Sequence, residues 1–446
     1  MLLARNDRRQ SMGKTQYLSR VAFSVALVAV TAAFATVSST LVRAQDTGNA
    51  LKRFLYDDAE VTVHLRSYYL DRTNPAPPNN VGWAGGGWVG YETGWLFGAV
   101  RLGIVGYTSL PLVGSADTDG TLLFLPGPKG YAVLGQAYGK LKLWGQEFTG
   151  FRQLINQPEV NPQDNRMTPN TFEAYTLAGS FGAFSYFAGY VAKEKMRNSI
   201  EFLNMATVAG APEGVSEGMI LAGVTFAPDD SFKARFSTYH VPNILTSGYV
   251  DAAKLFTLTD DINLRISGQF MVQGSTGGHL LTGQAFSTWA GGINVDLIWG
   301  PLTLTGVYTQ TGSAAAYRSP YGSWAGYTMM LLRDFNRANE GAFLVGTKFD
   351  LAAISLPGFA LSTNFAFGNG AITAGTGVPL STNNEYDFTI DYLFANSRLD
   401  WPDWLRPLWI RGRIGMLDQF QNGGYSSIRD FRVIANYEWK FGGKGR

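Results

Sequence analysis

Apolar and polar residues alternate one by one along the chain's last predicted element, residues 429–441. Phe431, Val433, Ala435, Tyr437, Trp439 and Phe441 share one parity. Asp430, Arg432, Asn436, Glu438 and Lys440 share the other, where Ile434 is the single apolar intruder. A period of two predicts a strand with one oily and one wet face; at helical spacing the same residues scatter around the cylinder. The oily face ends in Tyr437, Trp439 and Phe441, and aromatics stacked at one end of such a face point to a membrane interface. Lipid offers no partner to an open sheet edge, so strands that meet lipid must close into a barrel.

The same alternation recurs along the chain. It predicts strands at 60–72, 85–97, 100–110, 131–143, 147–155, 172–179, 184–192, 218–227 and 232–241. The second half adds 251–259, 263–273, 286–298, 302–311, 342–350, 359–367, 386–394, 408–417 and 429–441. The fold class is therefore all-β, a transmembrane antiparallel β-barrel of about 18 strands, an even number that returns both termini to one side. Short turns at 228–231, 260–261 and 300–301 suit the periplasmic rim. Longer connections at 111–130, 156–170, 193–217 and 312–340 suit the outer side, and no linker divides the chain.

The termini and the composition narrow the class. Arg5, Arg8, Arg9, Lys14 and Arg20 precede an apolar run at 21–37, and Val42-Arg43-Ala44 follows it. This predicts a secretory signal peptide over 1–44, translation from Met1 or Met12, and a barrel domain over 45–446. Without residues 1–44 the chain keeps 30 basic and 33 acidic residues, far from the basic surplus of a nucleic-acid binder. There is no cysteine, which removes disulfides and thiolate chemistry. Charged residues make up 16% and aromatics 14% of the chain, with mean hydropathy −0.03, as expected of a wall of alternating oily and wet positions.

Four segments carry a resemblance: 164–173 (DNRMTPNTFE), 334–340 (DFNRANE), 385–392 (EYDFTIDY) and the closing strand 429–441. Together, and in this order, they resemble the OprD family of porins in the outer membrane of Gram-negative bacteria. The resemblance implies 18-stranded, substrate-selective channels, each chain's lumen narrowed by loops folded inward, that admit small carboxylate-bearing solutes past a lumenal arginine ladder. The tail 442–446 departs from the family, whose closing strand usually ends on the aromatic residue that assembly machinery recognises.

Inward parity places Arg66 on the first strand, Arg411 and Arg413 on the seventeenth and Arg432 on the eighteenth, which closure sets side by side. They form either a basic substrate track, as the resemblance implies, or unrelated lumen charges balanced by Asp387, Asp391 and Glu438. Arg101, Lys140, Lys142, Lys233, Arg235 and Arg265 share the inward parity on other walls. By resemblance, the loop 156–170, with Glu159, Asp164 and Arg166, folds inward as a constriction. The loop 312–340, with Tyr317, Arg318, Tyr321, Trp324, Tyr327, Arg333 and Asp334, then faces it across the pore. Solvated outer loops are the alternative.

Catalysis is not expected: His64, His240 and His279 are scattered, and the G-x-S-x-G match at 214–218 stands before a predicted strand rather than between a strand and a helix. No metal or other cofactor is expected either. The sequence thus predicts selective passive diffusion of small water-soluble solutes. A general or hydrophobic-solute porin, or a barrel anchor or adhesin, are the alternatives. The expected partners are outer-membrane lipid, small anionic or zwitterionic solutes and the barrel-assembly machinery, with the chain as monomer or homotrimer.

Overall fold

The computed structural model of the protein describes residues 44–421 and 423–443. The apolar run of the predicted signal peptide, the start at Met12 and the tail 444–446 lie outside the described residues. Of one compact unit, residues 1–53, the described part holds helix α1 (Ala44–Lys52). No described helix is long and apolar enough to cross a membrane.

The second unit, from Phe54 onward, is the sheet. Its first half comprises β1 (Glu60–Thr73), β2 (Asn80–Glu92), β3 (Val100–Gly114), β4 (Tyr131–Leu143), β5 (Gln146–Gln153), β6 (Thr171–Phe181), β7 (Phe184–Lys195), β8 (Leu203–Asn204), β9 (Met219–Asp229) and β10 (Phe232–Val241). Its second half comprises β11 (Leu245–Thr257), β12 (Ile262–Ser275), β13 (Ser287–Trp299), β14 (Leu302–Thr311), β15 (Gly341–Asp350), β16 (Phe359–Asn369), β17 (Thr382–Leu393), β18 (Leu408–Gln421) and β19 (Gly424–Gly442). The two-residue β8 pairs only with the end of β7, and β7 pairs directly with β9. The remaining 18 strands run antiparallel, each beside its neighbours in sequence, and β1 joins β19 to close the barrel.

The closing seam runs from Glu60 opposite Gly442 to Thr73 opposite Arg429. It extends past Phe441, because Gly443 N donates to Ala59 O at 2.9 Å. Along β19, Phe431, Val433, Trp439 and Phe441 are exposed on the outer face, whereas Asp430, Arg432 and Asn436 are buried inside. The intruder Ile434 has a physical reason. It packs on an apolar cluster of Tyr68, Leu70, Ala84, Leu123, Phe124 and Met167. Leu123 and Phe124 belong to the connection after β3, and Met167 to the one after β5, so loops cover the inner wall here.

Strand ends depart from the pattern. The second strand is β2 at Asn80–Glu92 rather than 85–97: Phe97 and Gly98 take positive φ (53° and 70°), and Leu96 bridges back to Val100 as a tight turn. The apolar spacing of Trp95 and Phe97 belongs to that turn. β11 begins at Leu245 rather than 251, and β17 at Thr382 rather than 386. Beyond the lipid the outer face no longer needs apolar residues, so the alternation fades while the hydrogen-bond ladder continues.

Candidate functional site in the barrel lumen

Two connections meet inside the barrel: 154–170, between β5 and β6, and 312–340, between β14 and β15. Asn161 N donates to Tyr321 O at 3.1 Å, and the Asn161 amide both donates to Ser323 O and accepts from Ser323 N. The loops are thus bonded to each other at this point rather than separated by open pore. Glu159 anchors the first loop. Its carboxylate is buried, accepts from Tyr317 Oη at 2.5 Å, and lies 2.8 and 2.9 Å from Ser247 Oγ on β11. Burial pushes its carboxyl up to about 7, against the pull of the Tyr317 and Ser247 hydrogen bonds.

The second loop is pinned through its backbone. Leu331 N donates to Asp387 Oδ2 at 2.9 Å and Leu332 N to Glu385 Oε1 at 2.6 Å, both acceptors on β17, while Arg432 Nη2 donates to Leu331 O at 3.4 Å. Asp334 is pushed up to about 6 by burial, partly offset by Arg333 and Arg197. Arg318 exposes its side chain, and its backbone N–H and carbonyl pair with the Gln273 amide of β12. Arg166 is buried, its Nε donating to Thr121 O. That bond draws in a third connection, 115–130, which the sequence places among the outer loops.

The four arginines of the predicted track sit on the neighbouring strands β18, β19 and β1. Arg413 is directly opposite Arg432, and Arg411 lies one inward position along β18. Leu70, not Arg66, is opposite Arg432 on β1; Arg66 is opposite Asn436, four residues further along β19. Three of the four are ion-paired. Arg411 Nε and Nη2 donate to Asp391 at 2.7 and 3.0 Å. Arg432 Nε donates to Asp430 Oδ1 at 2.5 Å, and Asp430 also accepts from Arg72. Arg66 Nη1 donates to Asp164 Oδ1 and to Arg166 O, each at 2.6 Å. Among the described residues Arg413 makes no ion pair, and its Nε donates to Thr389 Oγ1 at 3.2 Å.

The remaining inward cations are mostly paired on other walls. Arg235 is 2.8 Å from Asp251, Lys140 3.3 Å from Glu147, Arg101 3.5 Å from Glu92 and Arg265 4.0 Å from Asp296. Lys142 and Arg101 lie over the Trp95 ring at 4.3 and 4.6 Å. Sequence reasoning missed Tyr68, whose hydroxyl accepts from Arg432 Nη1 at 3.4 Å, and missed Glu385 and Asp387 as acceptors for loop amides. Their inward parity was the available signal; nothing local says which loop reaches them.

Residues 53–441 match the profile of a family described as outer membrane porin, OprD family. No match is found among curated protein sequences. Among solved structures, the chain is similar to Pseudomonas aeruginosa OpdK with vanillate, at TM-score 0.75 and 18% identity over 87% of this chain and 100% of that one. P. aeruginosa OccK9 (OpdG) gives TM-score 0.77 and 20% identity over 87% and 100%. A BenF-like porin from Pseudomonas fluorescens Pf-5 gives 0.76 and 17% over 86% and 99%.

Proposed function

The chain belongs to the OprD family of outer-membrane porins, and from that premise we propose that it passes small carboxylate-bearing solutes by diffusion along the inner wall of β17, β18 and β19. The observation that carries this reading is Arg413, whose guanidinium faces inward beside Arg432 and Arg411 and makes no ion pair among the described residues, the attraction of Asp387 reaching it only from beyond ion-pair distance. Arg66, Arg411 and Arg432 spend much of their field on Asp164, Asp391 and Asp430. They hold the wall and soften the attraction. A solute carboxylate approaching Arg413 gains roughly 1 kcal/mol at 4 Å in bulk-like water, and about 4 kcal/mol at an effective dielectric of 20. Conduction needs exit as well as entry, so one open cation flanked by partly neutralised ones attracts an anion without trapping it. OpdK, which shares the fold, was solved with vanillate, itself a carboxylate.

The test is liposome swelling with Arg413→Gln and Arg413→Lys, using a small aromatic carboxylate and a neutral sugar of similar size. The glutamine variant should slow the carboxylate about fivefold, as roughly 1 kcal/mol implies, and leave the sugar little changed. The lysine variant should keep most of the carboxylate rate, because it keeps the charge. Equal slowing of both solutes by Arg413→Gln would make Arg413 a structural charge of the wall.

A further inference from the structure

Several connections on the rim that carries the chain ends are tight turns, as at 144–145, 182–183 and 230–231, but the one between β17 and β18 runs over 394–407. It holds Phe394, Leu399, Trp401, Trp404 and Leu405, and its charges, Arg398, Asp400, Asp403 and Arg406, sum to zero. This connection is fastened to the lipid-facing side of the wall. Tyr392 shares the outward parity of the exposed Phe388 and Ile390; its hydroxyl donates to Ser397 Oγ at 2.8 Å and accepts from Trp401 Nε1 at 3.1 Å. Ring contacts run from Phe359 of β16 to Tyr392, then Phe394, then Trp401, with centroids 4.3, 4.7 and 5.1 Å apart. On the far side of β18, Tyr437 shares the outward parity of the exposed Val433 and Trp439, and its hydroxyl donates to Trp404 O. The segment therefore crosses the foot of β18 on the outside, from β17 to β19. Its own backbone bonds, Leu405 N to Pro402 O at 2.8 Å and Arg406 N to Asp403 O at 3.3 Å, hold it in turns. Yet Leu399 and Trp404 are 61% and 62% exposed, and Ile354 and Leu356 of the neighbouring connection are exposed as well.

We propose that 394–407 is a membrane-interface strap, lying among the phospholipid headgroups of the periplasmic leaflet with Leu399 and Trp404 turned into the upper acyl region. Three observations select lipid as the occupant. The strap is continuous with the face that already meets lipid, because Tyr392 and Tyr437 of that face hold it. Its rings have an apolar body and one polar edge, which suits the depth where headgroups meet hydrocarbon. Its charges cancel, so a zwitterionic headgroup layer does not repel it, and the exposed Arg398, which makes no ion pair among the described residues, can meet a lipid phosphate. The consequence reaches the lumen. β18 carries Arg411 and Arg413, and β17 carries Asp391, so the strap ties the hairpin of the predicted track to the leaflet. This placement rests on the barrel standing in a bilayer and not on what passes through it.

The chain has no cysteine, so a single introduced cysteine can carry a nitroxide label. Leu399→Cys and Trp404→Cys, each labelled in a barrel of intact heat-modifiable mobility, are placed in phosphatidylcholine vesicles. Asp230→Cys, in a polar turn of the same rim, marks water, and Val433→Cys, on the outer wall, marks hydrocarbon. Power-saturation spectroscopy should place the labels at 399 and 404 between these marks, with collisions by oxygen favoured over those by a water-soluble nickel chelate. Labels as open to the chelate as the one at 230 overturn the strap, and either position alone decides if the other variant does not insert. Burial under a second copy is the other outcome: dipolar broadening that disappears on mixing with unlabelled protein overturns lipid as the occupant. Tyr392→Phe combined with Tyr437→Phe removes both fastenings and should narrow the spectrum of the label at 399 as the strap comes loose. An unchanged spectrum there overturns the role of the two tyrosines.

Discussion

The two faces of the barrel wall obey different rules. On the outer face, Leu65, Val89, Ile104, Phe343, Val345, Phe388 and Val433 are exposed, and they share nothing but parity and apolarity. On the inner face, Arg66, Asp387, Asp430, Arg432 and Asn436 are buried, and each has a partner of its own, often from a distant loop. Lipid is a uniform solvent that asks of each outward position only that it be apolar, so the outer face is periodic. Buried groups of the inner face are cut off from the lumen's water, and most of them pair with a particular donor or acceptor, so which residue stands at each inward position follows no rule of its own parity.

The same substitution placed on the two faces is the strongest way to break this comparison. Val433→Arg puts a guanidinium on the lipid side and should destabilise the inserted barrel by about 2–4 kcal/mol near the midplane. Thr305→Arg puts one on the inner side opposite Asp296, which already accepts from Thr305, and should cost little. Unfolding in urea in the presence of lipid vesicles, followed by heat-modifiable gel mobility, measures both. Equal costs would mean that the facing of one strand is misassigned.

A smaller effect is expected where a loop meets the wall. Tyr317→Phe removes the hydroxyl that donates to Glu159 and leaves that buried carboxylate with Ser247. Loss of a hydrogen bond to a charged group costs about 1.5–3 kcal/mol, so amides of 154–170 should exchange faster at pH 8 while those of β1 and β19 do not change. Exchange that quickens all around the barrel would show that the loop is part of the wall's stability rather than a body docked inside it.

A comparable effect sharpens the same contrast through pH. The Glu159 carboxyl is raised by burial from 4.5 to about 7, so the docked loop binds a proton more tightly than the undocked one. That contribution to docking is fully present below about 4.5 and is lost as pH rises through about 7. Protection of the loop amides, corrected for intrinsic exchange, should therefore be greater at pH 5 than at pH 8. In Glu159→Gln the difference should shrink to what Asp334, raised to about 6 in the loop bonded to this one, still contributes.

Alternation along the chain determined the wall. Tyr131–Leu143, Phe232–Val241 and Leu302–Thr311 have the predicted ends, and all 18 barrel strands appear in order. Each strand's outward face answers to lipid alone, and that requirement is written residue by residue. Strand ends such as Leu245 and Thr382 were not legible, because ladder bonds outside the lipid leave no mark on side-chain polarity. The inward parity of Arg66, Arg411, Arg413 and Arg432 was legible as well. Which of them is ion-paired was not: Asp164 reaches Arg66 from 98 residues away in the chain, and Asp430 lies two residues from Arg432 on the same strand. Ile434 looked like a flaw in its strand until the loops holding Leu123, Phe124 and Met167 covered it. Those loops, and the contact of Asn161 with Tyr321, join residues that lie far apart in the chain. A period of two records a solvent, whereas a hydrogen bond between distant residues leaves no local pattern, so only the tertiary structure could decide the shape of the lumen.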